Sequence, residues 1–258
     1  MTRIQKEKEA QQVSWSLEGG TASLSCGPLV GRVEVDGRGV QFLVATWGGA
    51  PSDAFGALIT GGPGPRPPVI EVGEAYIRGC DFVARYVRSA EFPVAPQFYW
   101  RAAYHEKPNA SQVEMILSVQ TDLLDSNPEV TVTSVALESR LFCASGTNAG
   151  AFRELTPHSP ELEISRDQSR EHLFVFRNEM LGISYAQMVH PSDFVAARVV
   201  AEAGRPPLVE STLFPESLEK GVIRRGRICG WFMPAEGDLA AAVKLAKRFV
   251  EEELPLTA

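Results

Sequence analysis

The sequence is short of the residues that ordinarily do chemistry. It has four histidines, His105, His158, His172 and His190, and they do not pair at metal-ligand spacing. Its four cysteines, Cys26, Cys80, Cys143 and Cys229, are far apart and form no C-x-x-C pair. Four cysteines could close two disulfides, but a chain of 258 residues with 44% hydrophobic content has core enough without them. Neither a metal nor a cofactor is expected. There is no G-x-x-x-x-G-K-[ST], no G-x-G-x-x-G after a strand, no G-x-S-x-G and no H-E-x-x-H. The glycine-rich stretch at 61–64 lacks the Lys-Ser/Thr that a phosphate loop needs. No run approaches the roughly 18 apolar residues of a membrane span.

Positive charge is also in deficit. Lys and Arg number 25 against 32 Asp and Glu, a formal net charge of −7. That balance argues against a general grip on nucleic acid or an anionic membrane, so neither is an expected partner. The charged run Met1–Ala10 has no apolar core of a signal peptide, which makes a reducing cytoplasm the expected compartment.

What the chain does hold is strand pattern. Gly31–Asp36 alternates apolar and polar residues, turns at Asp36-Gly37 and returns through Val40–Trp47, which predicts a hairpin. Gln112–Leu124 places Val113, Met115, Leu117 and Val119 on one face. The turn-forming Asp125-Ser-Asn-Pro128 and then Glu129–Val135 predict a second hairpin. His172–Phe176 and Gly182–Val189 predict a third, and Val222–Met233 a late strand. Residues 48–68, rich in Gly and Pro, read as a long loop with one turn of helix around Ala54–Leu58. The one long helix expected is C-terminal: Asp238 as N-cap, Leu239, Val243, Ala246, Phe249 and Val250 at helical spacing, Pro255 as stop.

The fold class expected is therefore all-β, an antiparallel β-sandwich with one C-terminal helix. A polar tail spans 1–12 and a single domain 13–258. Two related halves, 13–142 and 162–236, with the helix at 238–254, remain an open alternative. That alternative comes from a pseudo-repeat: Asp-Phe-Val-Ala occurs at Asp81–Ala84 and at Asp193–Ala196, each after a strand-like run and a turn. Arg78 then lies over His190. Weighed against turn chemistry, Asp81 and Asp193 read as local caps that end two strands in the same way.

Three clusters are candidate sites. His190 with Asp193, and Arg78 with Asp81, each place a titratable or cationic group beside a carboxylate, as acid–base chemistry requires. On this reading His190, Asp193 and Asp81 are the catalytic candidates. In the aromatic run Phe98-Tyr-Trp-Arg101, with Tyr104 and His105 after it, alternation puts Phe98 and Trp100 on one face and Tyr99 and Arg101 on the other. Trp100 and Arg101, with Arg78 and Arg225, are the ligand-binding candidates. Arg225 and Arg227 share a face and suit a carboxylate or phosphate, although a charged edge strand explains the same run.

The leading functional expectation is a non-enzymatic binding or assembly protein, with a small-molecule or carbohydrate ligand and a homo-oligomer both compatible. The alternative is a carbohydrate-active enzyme of aldose-epimerase type, with an acid/base pair acting on a sugar.

Overall fold

Strand patterning of this density leaves little room for helix. The computed structural model describes residues 13–253 apart from 37–38, 48–49, 52–55, 62–70, 89–93, 127–129, 137–138, 147–151, 157–160, 168–171 and 215–216. Every strand pairing among the described residues is antiparallel.

The first five strands form a meander in sequence order: β1 (Val13–Glu18), β2 (Thr21–Cys26), β3 (Leu29–Asp36), β4 (Gly39–Trp47) and β5 (Ala50–Pro51). Another five-stranded sheet has the order β15-β18-β19-β12-β6. Its members are β6 (Gly56–Gly61), β12 (Val130–Val135), β15 (Leu162–Ser165), β18 (Phe194–Val200) and β19 (Leu208–Leu213). β4 and β6 lie side by side and join these two sheets into one layer.

The opposing layer is a nine-stranded sheet of order β14-β13-β16-β17-β21-β10-β9-β8-β7. Four of its strands run β7 (Glu71–Arg78), β8 (Asp81–Val87), β9 (Val94–His105) and β10 (Ala110–Thr121). The others are β13 (Arg140–Ser145), β14 (Arg153–Leu155), β16 (His172–Asn178), β17 (Ile183–Val189) and β21 (Ile223–Pro234). β11 (Asp125–Ser126) and β20 (Leu218–Glu219) pair as a separate two-stranded ribbon.

Side-chain alternation divides the nine-stranded sheet into two faces. Val113, Met115, Leu117 and Val119 of β10, with Ile228 and Phe232 of β21, enter the interior between the layers. There the Phe42 ring stacks on Trp100 at 5.7 Å and contacts Phe232 at 6.0 Å. The opposite residues of β10 and β21 face outward. On that face a second apolar cluster forms where Cys229, Trp231, Met188, Ala186, Val175 and Leu173 meet the helix α1 (Asp238–Glu251). The helix buries Ala242, Val243, Leu245, Ala246 and Phe249, the stripe that its spacing prescribes. It covers the outer face over β16, β17 and β21 and its cluster reaches Ala110 at the start of β10, while no residue of β7, β8 or β9 belongs to that cluster.

Several sequence expectations meet this architecture differently. The hairpins β3–β4 and β16–β17 pair as read. Gln112–Leu124 and Glu129–Val135 do not form a hairpin: β10 pairs with β9 and β21, while β12 crosses to the other layer and pairs with β19 and β6. Within residues 48–68, Ala50–Pro51 and Gly56–Gly61 form strands β5 and β6, so the end of the expected helical turn, Gly56–Leu58, is strand, and its start at Ala54 lies outside the described residues. Residues 62–68 of that stretch lie outside the described residues. The helix is capped by Gly237 in a left-handed conformation (φ 72°), not by Asp238. Asp238 is its first residue, buried against Arg177 (2.9 and 2.5 Å) and Ser184 Oγ (2.5 Å).

The two copies of Asp-Phe-Val-Ala also part company. The first sits in β8, whose hairpin partner β7 is in the same sheet, whereas the second opens β18 after the chain leaves β17 for the other layer. Their turns are not equivalent.

Phe249 is the largest buried group that the helix contributes to the sheet. Phe249→Ala should destabilise the protein by about 3–5 kcal/mol in urea unfolding. A loss under 1 kcal/mol would mean that the helix docks without it.

Candidate functional site

Antiparallel register lines charged residues up across the outer face of the nine-stranded sheet, from the edge of the helix outward to β7. Arg78 pairs with Asp81, Asp81 with Arg101, Arg101 with Glu114, and Glu114 with Cys229. Five neighbouring strands thus contribute one row. Adjacent strands are about 4.8 Å apart, so the Cα atoms of Asp81 and Glu114 are separated by about 10 Å.

The row is held by two ion pairs of different character. Arg101 donates Nε–H and Nη2–H to the two carboxylate oxygens of Asp81 at 2.9 and 3.0 Å, a bidentate fork. Arg78 comes within 4.0 Å of the same carboxylate. These groups are accessible: the side chains of Arg101 and Arg78 are 36% and 57% exposed. Glu114 and Arg227, by contrast, form a 2.6 Å pair in which both side chains are only 2% exposed. Burial raises the Glu114 carboxyl above its ordinary range, against the pull of Arg227 and Arg101.

Arg227 ties the row to the rest of the molecule. Its guanidinium lies 4.7 Å over the Phe249 ring, and Nη2 stands 3.8 Å from Glu252 just past the helix. Its backbone N–H donates to Asp193 Oδ2 at 2.9 Å, and its carbonyl accepts from the His190 N–H. Arg227 Nη1 is buried and has no hydrogen-bond partner among the described residues.

Asp81 and Asp193 are thus not local caps. Each is engaged by a group distant in sequence, Arg101 in one case and Arg227 in the other. His190 is held on both sides of its ring. Nδ1 accepts the Ser192 N–H at 3.3 Å and sits 2.8 Å from Ser192 Oγ, while the Val250 backbone also engages the ring. The ring edge meets Phe249 at 5.3 Å. His190 and Asp193 therefore lie where the end of the helix meets the sheet, beside Arg227.

Trp100 is placed elsewhere. It is 3% exposed and stacked on Phe42 between the layers, so it does not face a ligand on the outer side. Alternation brings its neighbour Tyr99 to the outer face instead, half-buried and accepting from Gln97 Nε2 at 2.9 Å. Arg225 shares the outer face, opposite Ser118. β17 pairs with its strand only over Ile228–Pro234, so Arg224 and Arg225 have β10 as their one strand neighbour among the described residues, and the charged-edge reading still fits the basic run.

The sequence reading did not single out Glu114, although one signal marked it. It is the only charged residue in the twelve of β10. A lone carboxylate in a buried strand requires a partner, and Arg227 is that partner. Gln112 was missed too, and its partner is His105 of the aromatic run. Gln112 Oε1 accepts from Trp231 Nε1 at 3.0 Å and contacts His105 Nε2 at 2.8 Å, next along the same face. Among the described residues no group of His, Cys, Asp and Glu is arranged to hold a metal ion. No helix among them is long and apolar enough to cross a membrane.

No protein-family model matches the chain, and no curated relative matches it. Solved structures share its architecture. One is a candidate aldose 1-epimerase from Klebsiella pneumoniae subsp. pneumoniae, 12% identical over 95% of this chain and 91% of that one, with a TM-score of 0.52. Another is the Slr1438 protein of Synechocystis sp. PCC 6803, 13% identical over 86% and 96%, TM-score 0.51. A third is an alpha-N-acetylgalactosaminidase from Bifidobacterium bifidum, 11% identical over 92% of this chain but 38% of its own, TM-score 0.53. The likeness establishes an aldose-epimerase-like β-sandwich fold. It also corrects the leading functional expectation. The neighbours support the carbohydrate-enzyme alternative over a non-enzymatic binding or assembly protein.

The buried pair yields one test. Glu114→Ala strands the Arg227 charge and should cost about 3–5 kcal/mol, whereas replacing both residues with methionine should recover most of that loss. Equal losses in the single and double variants would show that the pair is not the coupled unit.

His190 yields another. Burial holds its imidazole below the ordinary 6.5, assisted by Arg227 and opposed by Asp193. The unfolded chain then takes up the proton first. Stability from neutral His190 is present above about 6.5 and is lost as pH falls through the lower folded value. Between about pH 7.5 and 5.5 the wild type should lose stability relative to His190→Gln. A constant difference across that window would contradict this.

Proposed function

We propose that the outer face of the nine-stranded sheet, from the edge of the helix outward, takes a carbohydrate, and that the protein is a carbohydrate-active enzyme of aldose-epimerase type. The observation that carries this is the register row Arg78, Asp81, Arg101 and Glu114, in a sandwich whose neighbours include a candidate aldose 1-epimerase.

The row has the parts that a polyhydroxylated ring requires. Arg101 spends Nε and Nη2 on Asp81, and its remaining N–H groups have no other protein partner among the described residues; they are the donors for a sugar oxygen. Asp81 fixes the plane of that guanidinium and presents a carboxylate to hydroxyl groups. Tyr99 lies next along β9 on the same face and offers an aromatic surface for the apolar side of the ring. Glu114 of the buried pair stands beside Arg101 across the strands and adds its negative charge to that of Asp81. Interconversion of anomers needs a proton removed from the C1 hydroxyl and one delivered to the ring oxygen, which is general acid–base chemistry. Asp81 is the carboxylate of the row that sugar hydroxyls reach, its side chain 12% exposed against 2% for Glu114, and it holds them together with the Arg101 fork.

A panel of reducing monosaccharides and sugar phosphates at millimolar concentration should raise the Tm of the wild type, while Arg101→Ala should lose the shift. Polarimetry of a freshly dissolved anomer should show acceleration by the wild type and a drop of at least tenfold for Asp81→Asn. No shift and no acceleration with any sugar would overturn the proposal.

A further inference from the structure

The His105 side chain lies on the same outer face, two alternations along β9 from Arg101, with the small Ala103 between them. Ala103 pairs with Gln112, and Arg101 with Glu114. A methyl-sized floor therefore has Gln112 beside it, His105 at one end, and Arg101 with Glu114 at the other. Arg101 and His105 are about 13 Å apart at Cα, a span that a hexose ring and its hydroxyls fill.

Hydrogen bonding decides the state of His105. The indole Nε1 of Trp231 is only a donor, so the Gln112 atom it meets at 3.0 Å is the carbonyl oxygen. His105 Nε2 meets that same oxygen at 2.8 Å and must therefore donate to it. Neutral His105 is thus the Nε2–H tautomer, and its Nδ1 lone pair has no protein partner among the described residues. Trp231 is fully buried and packed on Phe249 at 5.8 Å, which makes the relay rigid at its origin.

The hairpin that carries His105 is fixed as well. Tyr104 lies so close to Gly27 that a Cβ there would stand 2.3 Å from the Tyr104 ring, and Tyr104 Oη donates to Asn109 Oδ1 at 2.7 Å. Ser111 Oγ donates to the Cys26 carbonyl at 2.6 Å.

We infer that His105 is a catalytic acid–base residue of this face, with Trp231 and Gln112 positioning it through its Nε2–H. The inference rests on the carbohydrate reading above. The contrast with His190 favours it, since both sides of the His190 ring are already occupied. For a sugar lying over Ala103, Nδ1 takes the proton of the C1 hydroxyl. The C1–O5 bond breaks, its electron pair goes to O5, and C1 becomes a carbonyl. O5 then takes the proton back from Nδ1–H. Both oxygens are bonded to C1, so one nitrogen serves both. Rotation about C1–C2 and the reverse steps give the other anomer, with no other reactant.

Two readouts separate this inference from the carbohydrate reading itself. Long-range proton–nitrogen NMR of the histidine rings should show His105 as the Nε2–H tautomer, and Trp231→Phe should leave a mixture. An Nδ1–H tautomer in the wild type overturns the relay whether or not a sugar binds. Anomer exchange of D-glucose and D-galactose, followed by saturation transfer, tests the chemistry. His105→Gln should slow the enzyme-dependent exchange about 100-fold or more while the sugar-induced Tm shift persists. Gln112→Glu keeps both hydrogen bonds but adds charge beside the imidazole, so it should move the acid limb of the rate–pH profile to higher pH. Exchange by His105→Gln within threefold of the wild type overturns the role of His105. No exchange by the wild type for any sugar removes the carbohydrate reading, and the inference with it, while the tautomer result stands as a statement about the relay.

Discussion

The ion pair between Glu114 and Arg227 is the joint on which this molecule depends. Both side chains are almost wholly withdrawn from water, and neither charge would be tolerable without the other. Around that pair the three parts of the outer face meet. Glu114 belongs to the register row that runs out to Asp81 and Arg78. The Arg227 guanidinium lies beneath Phe249 and near Glu252, which ties it to the end of the helix. The Arg227 backbone holds Asp193 and His190 at the point where the chain leaves the nine-stranded sheet for the other layer. A buried pair of this kind adds little net stability, but it specifies which strands are neighbours and where the helix ends.

That joint separates two kinds of surface on one sheet. Under the helix, Trp231, Met188, Cys229 and Val175 make an apolar seam, and burial pushes the Cys229 thiol well above its ordinary range, which leaves it inert. Beyond the helix, polar and charged side chains face outward over a rigid backbone, with Arg101, Gln112 and His105 each oriented by a named partner. Side chains on strands, locked by fixed donors and acceptors, are the means by which a sheet presents a preorganised site. The polar groups do not need a loop to assemble them.

Much of the fold was legible in the sequence because local signals agreed with it. Gly31–Asp36 and Val40–Trp47 carry both the alternation and the turn, and they pair as read. The C-terminal spacing of Val243, Ala246 and Phe249 also names the buried face of the helix. What failed did so where long-range pairing overrode a local turn. Asp125-Ser-Asn-Pro128 looks like a hairpin turn, yet the strands on either side belong to different sheets, and no residue in the turn encodes that. The site was legible in its outline and not in its connections. Arg78, Asp81 and Arg101 were singled out, but the bond between Asp81 and Arg101 spans twenty positions and arises from register. Trp100 was misplaced because alternation reveals two faces without saying which is the core. Glu114 and Gln112 went unread because polar residues in a strand gain meaning only beside Arg227 and Trp231, which come more than a hundred positions later.

The central claim is that a sugar lies on the outer face of the nine-stranded sheet, beyond the helix. A crystal structure of the protein with a bound reducing monosaccharide tests it most directly. The account predicts ring density over Ala103, with sugar oxygens on Arg101 and Asp81 and the anomeric carbon toward His105. Density for the sugar at any other place on the molecule, with that face occupied by water alone, would contradict it.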